Sequence, residues 1–133
     1  MIVDTSAILS IVYAEPGHEE LARLLVTSAG SGMAAPNAVE AGIVLAAKLG
    51  SKSRGLMERL FTELRIDVVP FEDAHVAVAV DAYRRFGKGR HPAALNFGDC
   101  IAYAAARVAH VPLLYVGDDF SRTDIEGAAK RNR

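Results

Sequence analysis

The chain has 133 residues, enough for one domain with a real hydrophobic core, and 51% of them are hydrophobic, which argues against a disordered polymer. Fifteen Lys and Arg balance sixteen Asp and Glu to a net charge of −1, so overall charge announces no polyanionic partner. The single Cys100 excludes an intrachain disulfide and suits a reducing compartment.

Met1-Ile-Val-Asp4 is an apolar run ending in a carboxylate and reads as a buried strand. Residues 1–14 lack a basic segment and Asp4 interrupts their apolar run, so no export signal is expected and the cytoplasm is the expected location. No stretch reaches the roughly 18 apolar residues of a membrane span. Ala7 to Tyr13 has helical character and is stopped by Glu15-Pro16-Gly17. His18 to Ser28 carries Leu21, Leu24 and Leu25 at helical spacing, and Gly30-Ser-Gly32 breaks it. Met33-Ala-Ala35 reads as a short second strand. Pro36 suits the first turn of a helix running to Leu49, with Gly50 ending it.

A charged helix is expected over Ser53 to Arg65, with Leu56, Leu60, Phe61 and Leu64 as its apolar stripe. Ile66 to Val69 reads as a third strand, and Asp73 to Phe86 as a helix closed by Gly87-Lys-Gly89. Residues 88 to 97 form a loop, Gly98 opens a helix through about Ala109, and Pro112 to Val116 is a fourth strand ending at Gly117-Asp118-Asp119. Strands alternating with helices imply an α/β fold with a parallel sheet covered on both faces. Residues 1–133 form a single domain on this reading, without repeats or a linker.

In such a sheet ligands bind beyond the C-terminal ends of the strands. Asp4 ends the first strand, Asp118 and Asp119 follow the last, and Glu40 and Asp99 sit near the starts of helices that follow. Four segments therefore deliver carboxylates to one edge. Clustered carboxylates repel, and a divalent cation removes the conflict. An all-oxygen donor set without a Cys or His pattern points to Mg2+, with Mn2+ as the alternative, rather than to zinc. Taken singly, Glu40 and Asp99 are also ordinary dipole-favoured carboxylates, and Asp118-Asp119 an ordinary turn.

Met1-Ile-Val-Asp-Thr-Ser-Ala7 resembles the opening motif of PIN domains. Gly87 to Cys100 and Gly117-Asp-Asp-Phe-Ser-Arg-Thr-Asp-Ile125 resemble a subgroup of VapC toxins, and Pro36-Asn-Ala-Val-Glu40 matches the family's helix-borne glutamate in spacing. Asn37 stands where the family more often carries Ser or Thr. The resemblance, which runs from Met1 to about Glu126, implies a three-layer α/β/α fold with a central parallel sheet of four to five strands. It also implies a metal-dependent endoribonuclease leaving 5′-phosphates, with Asp4, Glu40 and Asp99 as metal-site acids. The fourth acid is Asp118 or Asp119, with a slight lean to Asp118. Thr5 or Ser6 supplies the hydroxyl after the first acid.

The basic run Arg84, Arg85, Lys88, Arg90 and His91 leads towards Asp99, so Arg85 and Arg90 are candidate RNA contacts, as is Asn96 in the same loop. A second basic group, Lys130, Arg131 and Arg133, reads as a solvated tail. VapC toxins are generally homodimers neutralised by a VapB antitoxin that lies in an apolar groove, so both partners are expected here. The alternatives are a PIN-fold interaction module without catalysis and a free-standing nuclease without an antitoxin.

Overall fold

The computed structural model describes residues 1–129. Along the chain these form β1 (Ile2–Val3), α1 (Thr5–Val12), α2 (His18–Thr27), β2 (Ser31–Ala34), α3 (Ala35–Leu49), α4 (Lys52–Glu63), β3 (Ile66–Val69), α5 (Asp73–Phe86), α6 (Phe97–Ala109) and β4 (Leu113–Leu114). A short 3-10 turn follows at Phe120–Arg122. The strands make one sheet in the order β3-β2-β1-β4, and every pairing is parallel.

Alternation along the strands builds the layers, because successive side chains point to opposite faces. Ile2, Ala34 and Leu113 face one apolar cluster, completed by α5 and α6 through Ala82, Phe86, Ile101 and Tyr103. Val3, Met33 and Leu114 face the other, completed by α1 to α4 through Ile8, Leu25, Ala41 and Phe61. The result is the expected three-layer arrangement, with four strands among the described residues. β1, β2 and β4 are wholly buried, whereas β3 exposes Asp67 and Val68, as an edge strand can.

Two elements differ from the sequence reading. Ser31 and Gly32 belong to β2 rather than to a break before it. A Cβ on Gly32 would stand 3.0 Å from Val69 Cγ1 and 3.3 Å from Ile2 Cδ1, so packing explains this glycine. β4 is only Leu113–Leu114, because the Val116 N–H leaves the ladder and donates to the Ser6 hydroxyl at 3.0 Å.

The chain winds outward from β1 to β2 and β3, then returns to place β4 on β1's other side. That reversal leaves a crevice at the C-terminal ends of β1 and β4, the position where open α/β sheets bind ligands. Asp4 lies there directly. Its backbone N–H donates to Leu114 O at 2.9 Å, which fixes the end of β1 against the end of β4.

Candidate active site

Asp4 leaves β1 with extended backbone (φ −80, ψ 154) and caps α1 without an intervening loop. Its Oδ2 accepts from the Ser6 N–H at 3.0 Å and from the Ser6 hydroxyl at 2.5 Å. Ser6 Oγ also accepts from Val116 N–H, so one hydroxyl joins the exits of β1 and β4. Asp4 is 4% exposed. Burial pushes its carboxyl up to about 6; the Ser6 bonds oppose that rise, and the negative charges of Asp99 and Glu40 add to it.

Glu40 projects from the second turn of α3, which begins directly after β2. The Thr5 hydroxyl donates to Glu40 Oε1 at 2.6 Å and lies 3.3 Å from the Asn37 carbonyl oxygen. Asp99 stands in the first turn of α6, where it and Asn96 form a reciprocal cap. Asn96 N–H donates to Asp99 Oδ2 at 3.0 Å, and Asp99 N–H donates to Asn96 Oδ1 at 2.9 Å. Burial raises the Asp99 carboxyl above the usual range, and the charges of Asp119 and Glu40 reinforce this.

The preceding residue, Gly98, lies flush against Glu40. A Cβ there would fall 2.7 Å from Glu40 Oε2 and 2.9 Å from Oε1. Asn37 Nδ2 donates to Gly98 O at 3.0 Å.

The acids thus descend from rim to floor: Glu40, Asp118 and Asp119 are exposed, Asp99 is half-buried and Asp4 is buried. Asp4, Glu40 and Asp99 make no ion pair among the described residues. Nor do any three His, Cys, Asp or Glu side chains among these residues close into a ready-made metal cage. What the fold gathers is a negative field around a buried carboxylate. Such a donor set fits a hard cation that keeps part of its own water, as Mg2+ does.

The basic run disperses more than its sequence suggests. Arg85 pairs with Asp124 at 2.9 Å, and Asp124 also accepts from the Tyr103 hydroxyl at 2.6 Å. This side of α6 lies beyond Asp99, towards the helix's C-terminal end. The Arg90 guanidinium lies 5.6 Å from the centre of the Tyr83 ring. His91 Nδ1 accepts from Ala93 N–H at 3.0 Å, and its ring packs edge-on against Phe86. Asn96 is committed to capping α6. Lys130, Arg131 and Arg133 lie outside the described residues.

Three neighbours of the acids were not singled out from sequence as site residues: Asn37, Gly98 and Phe97. Phe97, two residues before Asp99, is 81% exposed and lines an apolar depression with Val80, Tyr83 and Ile101. Asn37 and Gly98 give no sequence signal of their contact, since they are 61 residues apart.

The chain matches the PIN domain family over residues 1–126. It is also 47% identical over 127 residues to Ribonuclease VapC36 of Mycobacterium tuberculosis, covering 95% of this chain and 91% of that protein. This chain belongs to the PIN-domain family, among the VapC ribonucleases. VapC ribonuclease Mb2780c of Mycobacterium bovis is 43% identical over 129 residues, covering 96% of this chain and 98% of that one. In three dimensions this VapC chain is similar to the crystal structure of VapC20 of M. tuberculosis, described as a sarcin-ricin loop cleaving toxin. The TM-score is 0.72, with coverage of 93% of this chain and 95% of that chain. At 16% identity that likeness concerns the fold.

Proposed function

We propose that this VapC protein is a Mg2+-dependent endoribonuclease, with Mn2+ able to substitute, and the toxin of a toxin–antitoxin pair. The observation that carries the reading is the buried Asp4 carboxylate, pushed up to about 6 and crowded by the charges of Asp99 and Glu40, with no ion pair to a cation among the described residues. Asp4, Asp99 and Glu40 would hold the metal with one carboxylate of the Asp118-Asp119 pair. Asp119 is favoured because its charge is felt at Asp99. A divalent cation there supplies Lewis-acid polarisation of an RNA phosphodiester and a water acidic enough to attack near neutral pH.

The protein's part is orientation. Ser6 holds the Asp4 carboxylate from both its N–H and its hydroxyl, and Thr5 holds Glu40. RNA would cross the exposed rim; Arg90 is the first cation proposed to meet its phosphates, Arg85 a lesser one because Asp124 holds its guanidinium, and Asn96 beside Asp99 a further proposed contact. Exposed Val76, Val80 and Tyr83 along α5 support a homodimer, the apolar depression lined by Gly42, Met57, Phe61 and Val68 supports an antitoxin groove, and the cytoplasm is the proposed location. Among the described residues no helix is long and apolar enough to cross a membrane.

Cleavage of end-labelled RNA with Mg2+, with and without EDTA, tests the function. Wild type is expected to cut only with metal, and Asp4→Asn and Asp99→Asn to lose cleavage while keeping a folded far-UV spectrum. Cleavage in EDTA, or by either variant at the wild-type rate, overturns it.

A further inference from the structure

Asn37 is 1% exposed, yet its side chain is only half used. Nδ2 donates to the Gly98 carbonyl at 3.0 Å, whereas Oδ1 has no hydrogen-bond partner among the described residues. A buried amide oxygen without a partner opposes folding, and an apolar side chain of similar volume would remove that cost. Stability alone is therefore a poor account of an Asn here. Its position suggests another. Asn37 lies three residues before Glu40, close to one turn, so the two share a side of α3. Gly98 immediately precedes Asp99, and the Glu40 carboxylate rests against Gly98 where a Cβ would otherwise be. The Asn37 carbonyl oxygen also lies 3.3 Å from the Thr5 hydroxyl, which donates to Glu40.

We propose that Asn37 is a positioning residue: its amide ties α3 to the first turn of α6 and so sets the spacing of Glu40 from Asp99. The bond is the side-chain link from α3 to the residue before Asp99. Without it, α3 and the α6 turn are held by apolar packing, which resists separation but is non-directional and does not set carboxylate spacing to fractions of an ångström. The proposal rests on the metal-nuclease reading above, since the spacing matters through the cation that the acids share. Partners that orient metal ligands commonly change metal affinity about 10- to 100-fold when removed.

Asn37→Leu is the informative substitution, because it keeps the branching and heavy-atom count, removes the donor and removes the orphaned oxygen. Mn2+ binding is measured by calorimetry on the RNA-free protein, alongside the melting temperature in EDTA. Asn37→Ala serves as a second variant should Leu crowd the site. Leu25→Ala, in α2 and fully buried, is the control for general destabilisation. The expected result is Mn2+ affinity at least about tenfold weaker in Asn37→Leu at an undiminished melting temperature, with Asn37→Ala weakened similarly. Leu25→Ala should melt earlier and bind Mn2+ as wild type does. Wild-type affinity in both Asn37 variants overturns the positioning role and leaves the nuclease reading standing. Absence of Mn2+ binding by the wild type overturns the metal reading, and the positioning role with it.

Discussion

Asp4→Asn should separate folding from function in opposite directions. In the folded, metal-free protein the Asp4 carboxyl is raised from 3.8 to about 6, chiefly by burial. A raised carboxyl means that the fold prefers the neutral form. Its contribution to stability is fully present below pH 3.8 and is lost as pH rises through about 6. The shift of about two units corresponds to about 3 kcal/mol at 1.36 kcal/mol per unit, so at pH 8 the ionised group costs about that much. Asparagine cannot ionise, remains a good helix cap and offers an oxygen to the Ser6 N–H. In EDTA at pH 8 the variant should therefore melt about 10 °C above wild type, with the gain shrinking as pH falls towards 4.5. Mg2+ should stabilise wild type and narrow the gap, because only the carboxylate form gains from binding. Thermal denaturation in EDTA across this pH range, repeated with Mg2+, is the assay. A variant no more stable than wild type at pH 8 would refute the argument that Asp4 is buried at an electrostatic cost.

Metal affinity should follow the same carboxyl: below about pH 6, Mn2+ binding measured by calorimetry should weaken by about tenfold per pH unit as protons compete for Asp4. Arg90→Gln should reduce the slope of log affinity against log salt for single-stranded RNA by about one, measured by fluorescence anisotropy with catalysis blocked in EDTA. Arg85→Gln should change that slope less, since its guanidinium is already held by Asp124. Leu114→Ala, at a fully buried strand position in contact with the cluster under α1 to α4, should cost about 2–5 kcal/mol in urea denaturation.

Where local chemistry decides structure, the sequence was readable. An apolar run ended by Asp4, a Pro-led α3 and the Phe97–Ala109 helix all declare themselves within a few residues, and their placement already brought the acids to one edge. Where contacts between distant segments decide, it was not. Gly32 looked like a breaker because its reason for lacking a side chain is Val69, on the neighbouring strand. Val116 looked like a strand residue because nothing nearby shows that Ser6 takes its N–H. Arg85 looked like a free cation in a basic run, and its partner Asp124 is 39 positions away. The candidate acids could be named from the sequence, but their order of depth, with Asp4 buried and Glu40 exposed, follows from packing and not from spacing.

Gly98 has a genetic consequence. The Glu40 carboxylate occupies the space that any side chain at this position would enter. Every single-base missense change in a glycine codon introduces a Cβ, so on the proposed function this one codon should offer several distinct one-step routes to a disarmed but folded protein. A library of cells that survive expression of the protein without an antitoxin should accordingly gather mutations at codon 98, alongside those at the acids.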